Sequence, residues 1–61
     1  MIIKSYECDS YNVEIHEHPI YHDFEFVVKS LDGHEVIGAS TRPYEQCEDA
    51  ENAAFLFIKS I

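Results

Sequence analysis

Positive charge is scarce in this chain of 61 residues. Three lysines and one arginine stand against twelve Asp and Glu, for a formal net charge of −8. Four scattered cations cannot neutralise a phosphate backbone, which argues against direct binding to nucleic acid or to an anionic membrane surface. Long apolar runs are missing as well. Nothing approaches the ~20 consecutive residues of a bilayer-crossing helix, and Met1-Ile2-Ile3-Lys4-Ser5-Tyr6-Glu7 has no signal-peptide core, so a cytoplasmic protein is expected. Two cysteines, Cys8 and Cys47, are too few for the disulfide framework of a secreted mini-domain or for a cysteine-built metal site, and both are expected reduced. With only two glycines there is no phosphate-cradling loop. Ser5, Ser10, Ser30, Ser40 and Ser60 occur in no elbow motif and neither cysteine sits in a nucleophile signature. No catalytic residue and no cofactor are expected, and the chain reads as a non-enzyme.

What is present suffices for one small domain spanning residues 1–61. The chain is 46% apolar, a composition that folds rather than one that stays disordered, but its length limits it to one sheet and one helix-sized layer. The clearest local signal runs from Phe24 to Ser40. Asp32-Gly33 supplies the positive φ angles of a two-residue type I′ turn between flanks rich in β-branched and aromatic residues. That turn would pair Lys29 with Val36, Val28 with Ile37, Val27 with Gly38 and Phe26 with Ala39. Phe24, Phe26, Val28, Ile37 and Ala39 then form a core face. Val27, Leu31 and Val36 lie on the opposite face among Glu25, Lys29 and His34.

Upstream, Tyr11-Asn12-Val13-Glu14-Ile15-His16 alternates, so Tyr11, Val13 and Ile15 point to the core. Pro19 cannot donate to a ladder and makes His18 to His22 a connection. Downstream, Ala50, Ala53, Ala54, Phe57, Ile58 and Ile61 recur at helical spacing, with Pro43 on the approach, acids at the start and Lys59 near the end. The expected fold class is α+β: a three-stranded antiparallel β-meander packed by one C-terminal α-helix. Met1 to Tyr6 is left open between an extra short edge strand and a frayed end.

Two surfaces carry the functional expectations. Glu45, Glu48, Asp49 and Glu51 crowd the helix start, and carboxylates at i and i+3 or i+4 lie ~5–6 Å apart, a spacing suited to a row of Lys and Arg on a partner. Glu14, Asp23 and Glu25 would extend this surface on the sheet side. Phe55 and Leu56 fall off the helix stripe and supply an apolar anchor, with Val27 and Val36 as a second apolar patch. The occupant is either a basic, nucleic-acid-binding protein or a second copy of the chain. Separately, His16, His18 and His22 lie within seven residues, and His16 and His18 would project from one strand face, so a metal module with Glu14 or His22 as third ligand is the alternative.

The stretch Leu31-Asp32-Gly33-His34-Glu35-Val36-Ile37-Gly38-Ala39-Ser40, then Tyr44, then an Ala-rich helix ending in Ile58, resembles a YegP-like module over about Tyr11 to Ile61. The resemblance implies a β-β-β-α fold and self-association, with a housekeeping role of no defined chemistry. The chain departs from that family in its acidity and in its histidine cluster, and no functional residue carries over. In size, charge and lack of catalytic residues it is also similar in kind to small phage inhibitors of the anti-CRISPR type. The leading expectation is therefore a stoichiometric inhibitor acting by charge mimicry, in the host cytoplasm if phage-encoded.

Overall fold

The computed structural model describes Met1–Ile61 throughout. Four strands, β1 (Ile2–Cys8), β2 (Tyr11–Glu17), β3 (Phe24–Ser30) and β4 (Val36–Ala39), precede one helix, α1 (Cys47–Lys59). The strands form one antiparallel sheet in the order β1-β2-β3-β4. The architecture is α+β, as the patterning predicts, with a fourth strand. Of the two readings left open for the N-terminal segment the edge strand holds: six of the seven residues of β1 pair with β2, from Ile2 opposite His16 to Cys8 opposite Tyr11, with a register shift at Ile3.

The core follows from the period-two alternation of β2 and β3. Val13 lies opposite Val28 and Ile15 opposite Phe26, and all four side chains are buried on one face. Ala50, Ala54 and Ile58 of α1 complete that core. The two alanines on this stripe let the helix sit low on β2 and β3. Glu48 and Asp49 in the first turn and Lys59 in the last complement the helix dipole. Ile61, expected on the stripe, lies past the helix end and is exposed.

The turns depart from expectation. Asp9 and Ser10 both have positive φ, 49° and 71°, between the paired residues Cys8 and Tyr11, so a two-residue turn of the type I′ kind sits here and not at Asp32-Gly33. The β3–β4 connection is longer. Gly33 N donates to Ser30 O at 2.9 Å and Ser30 N to Glu35 O at 2.9 Å. Side chains close the loop: Asp32 Oδ1 accepts from Ser30 Oγ at 2.6 Å and from His34 N at 2.9 Å. Ser at the first and Gly at the fourth position suit a type I turn, which outcompetes the tighter alternative once Ser30 and Asp32 bond each other.

The longer loop leaves its mark on the register. Lys29 pairs with Val36 as predicted, but Val28 faces Gly38 and Val27 faces Ala39, because the ladder shifts between Val28 and Lys29. Ala39 therefore turns to the outer face and is exposed, and Gly38 takes a core-facing place. A Cβ on Gly38 would come within 2.2 Å of the Phe57 ring, so only glycine admits that ring against β4. Beyond β4 the chain touches β3 once more: Phe24 N donates to Tyr44 O at 2.7 Å and Tyr44 N to Phe24 O at 2.8 Å. This bridge fixes where α1 begins.

One helix covers one face of the sheet. The other face stays open, with Asn12, Glu14, His16, Val27 and Lys29 at its centre, partly shielding one another.

Candidate protein-binding surface

Each of the four cations is engaged within the fold. Lys4 Nζ lies 2.9 Å from Glu51 Oε2, Lys29 Nζ 3.1 Å from Glu14 Oε2, and Lys59 Nζ 2.8 Å from Asp9 Oδ2. Arg42 forms no ion pair; its guanidinium carbon stands 4.6 Å from the centre of the Tyr44 ring. The excess of carboxylates is thus left without internal counter-charge, and its location decides what the surface can do.

Glu14 and Glu51 are already committed. Glu14 bonds His16 Nε2 at 2.9 Å as well as Lys29, and the hydrogen bond from His16, helped by Lys29, holds its carboxyl below the usual value. The Lys4 ammonium does the same for Glu51, whose oxygen also accepts from Cys47 Sγ at 3.6 Å. Around this pair, burial followed by the Glu51 charge pushes the Tyr6 phenol up to about 12. The Cys47 thiol is raised by the same two causes and stays protonated. Cys8 adjoins Asp9, which Lys59 grips at the far end of α1, roughly 18 Å along the axis from Cys47 and beyond disulfide reach.

Five of the expected partner-facing acids carry no ion pair. Glu45, Glu48 and Asp49 are exposed at the helix start, Glu25 is exposed on β3, and Asp23 is half-buried just before it. The Phe24–Tyr44 bridge brings Asp23 to the helix-start acids, because Asp23 and Glu45 flank the two bridged residues, whereas Glu25, opposite His16, projects from the open sheet face. Asp49 also borders a groove of about 570 Å³ between α1 and the turn before it, lined by Arg42, Pro43, Tyr44, Glu45, Asn52, Ala53 and Leu56.

The apolar anchor expected from Phe55 and Leu56 is divided. Both are exposed, at 46% and 66%, but successive helical residues point about 100° apart. Leu56 lines the groove. Phe55 faces the other flank, where Lys59 Nζ stands 5.2 Å from its ring centre. Val27 and Val36 belong to the open sheet face, Val27 half-buried opposite Glu14 and Val36 exposed opposite Lys29. The expected binding residues therefore lie on three surfaces: the acidic end with its groove, the β1 flank of α1, and the open sheet.

The three histidines are not gathered into one ligand set, although His16 and His18 both line a small pocket of about 190 Å³ with Glu17 and Glu25. His16 on β2 bonds Glu14, and His22 Nδ1 lies 3.1 Å from Glu17 Oε2. His18 falls outside the strand, where its Nδ1 accepts from the backbone N–H of Ile20 at 3.2 Å and of Tyr21 at 3.3 Å. No group of three or more His, Cys, Asp or Glu side chains is placed to hold a metal ion. The shared strand face expected of His16 and His18 ends at Glu17.

Sequence reasoning missed the Arg42–Tyr44 stack and the groove it borders. The signal was Arg42-Pro43-Tyr44-Glu45, an aromatic and a cation immediately ahead of an acidic helix start. No helix is long and apolar enough to cross a membrane. No protein-family model matches the chain, and searches of curated proteins and of solved structures returned no match.

Proposed function

We propose that this chain is a non-catalytic protein-binding module that occupies a basic, nucleic-acid-binding surface of another protein, its carboxylates standing in for phosphates. One observation carries the reading. Lys4, Lys29 and Lys59 are tied into ion pairs elsewhere, while Glu45, Glu48 and Asp49 remain exposed and unpaired at one end, with Asp23 across the Phe24–Tyr44 bridge from Glu45. Such an arrangement projects a negative field that a Lys/Arg track would meet, and it speeds encounter in a salt-dependent way. Stoichiometric inhibition in the manner of small phage-encoded anti-host proteins is the activity this chemistry suits.

The test is capture from host lysate at low and at high salt, with wild type beside the triple variant Glu45→Gln, Glu48→Gln, Asp49→Asn. The reading expects basic, nucleic-acid-handling proteins on the wild type at low salt and their loss from the variant. Equal capture by both, or no basic protein retained at low salt, would overturn it.

A second reading, a self-associating YegP-like module, is favoured by the β2-β3-β4-α1 order, which matches what that resemblance implies. The mass in solution decides it. A dimer at micromolar concentration supports this reading, and a strict monomer removes it.

A further inference from the structure

The groove beside α1 contains its own clue to what fills it. Arg42 is the chain's single arginine, and it is exposed next to an acidic helix start. It nevertheless makes no ion pair and lies over the Tyr44 ring at 4.6 Å. The ring is held in place from both sides: its backbone exchanges two hydrogen bonds with Phe24, and its side chain packs against the core. Glu45 and Asp49, both exposed and unpaired, line the same groove, with Leu56 and Ala53 as its apolar wall. A fixed aromatic face, an apolar wall and two free carboxylates are complementary to a guanidinium, which is planar, weakly hydrated and able to stack and donate in its plane at once. An ammonium, compact and strongly hydrated, uses only the charges.

We infer that this groove is a guanidinium-binding slot, in which an arginine of the basic partner stacks on Tyr44 in place of Arg42 and is paired by Glu45 and Asp49. The inference rests on the reading of the chain as a binder of a basic protein and names the group that protein inserts. Arg42 then acts as an internal occupant that the partner displaces, keeping the slot covered until binding.

The experiment titrates hexa-arginine and hexa-lysine peptides into the folded chain and follows its amide and methyl resonances. Hexa-arginine is expected to bind about three- to fivefold more tightly, in line with an exposed cation–π contact, and to shift Asp49, Asn52 and Leu56. Arg42→Ala should tighten hexa-arginine more than hexa-lysine, because it removes a competitor for the ring as well as a charge. Tyr44→Leu should abolish the preference; should it unfold the chain, Arg42→Ala carries the test alone. The slot is overturned if the two peptides bind alike, if the shifts lie away from the groove, or if Arg42→Ala strengthens both peptides equally. In those cases the binding of basic chains survives without its slot. If neither peptide binds at low salt, the slot and the underlying functional reading fall together.

Discussion

The two flanks of α1 are built from similar residues and end in opposite states. On the β1 side Glu51 is held by Lys4 and Lys59 reaches Asp9, so two ion pairs tie that flank down and only Glu48, at its start, stays unpaired. On the other side Asp49 and Glu45 find no cation, and the one available arginine lies on Tyr44 instead. The contrast teaches that net charge says little until the pairs are subtracted: the −8 of the sequence resides in the carboxylates that remain.

The largest expected effect removes both flanks at once. Ile15 is fully buried beneath α1, and Ile15→Ala should cost about 2–5 kcal/mol, comparable to the whole stability of ~3–5 kcal/mol that a core of this size supplies. Urea denaturation should find the variant largely unfolded; a native-like midpoint would remove the packing account. Next comes Gly38→Ala, which forces Phe57 off β4 and should destabilise by about 1–3 kcal/mol. An unchanged midpoint there would mean that the ring moves freely.

Acid should loosen the paired carboxylates. The Glu51 and Glu14 carboxyls are lowered from 4.5, so the stability they contribute is present above that value and lost as pH falls through their depressed folded values. Glu51→Gln should therefore flatten the acid limb of the stability curve, and an acid limb unchanged by that substitution would remove the Lys4–Glu51 pair from the account. In alkali the sign reverses. Tyr6 is raised from 10.0 to about 12, so its contribution is present below 10.0 and lost as pH rises toward 12. Tyrosinate absorbance should show one of the four tyrosines ionising late, and a single titration shared by all four would contradict the burial of Tyr6. The smallest effect is none at all: Zn²⁺ should leave Tm unmoved, since His16, His18 and His22 each have separate partners, and micromolar binding would raise it through linkage.

How much of this was legible in the sequence depends on the range of the interaction. Alternation in Tyr11 to His16 and in Phe24 to Val28 identified Val13, Ile15, Phe26 and Val28 as core, because period two is a local property of a half-covered strand. The helix stripe placed Ala50, Ala54 and Ile58 beneath α1 for the same reason, and it left Phe55 and Leu56 exposed. Turn geometry was less legible. Asp32-Gly33 carries the stronger positive-φ signal, yet the bonds among Ser30, Asp32 and His34 drew it into a wider loop, while Asp9-Ser10 took the tight turn that composition did not advertise. Glu14, Glu51, Phe55 and the histidines could be assigned to faces but not to partners. Lys4 lies 47 residues from Glu51, and no spacing rule foretells that pair. The Arg42–Tyr44 stack is local in sequence but acquires its groove only when the Phe24 bridge sets the turn against α1.

The central claim is that the unpaired acids at the helix start form a site and not part of an even coat. The most direct test measures hexa-arginine affinity at low salt for two variants with equal loss of charge. One is Glu45→Gln with Asp49→Asn; the other is Glu7→Gln with Glu35→Gln, two exposed acids away from the groove. The account predicts that the first pair weakens binding about tenfold, the loss of two charge-assisted contacts, and that the second changes it by less than about twofold through the screened long-range field. Equal losses in the two variants would show that only total charge matters, and would contradict the account.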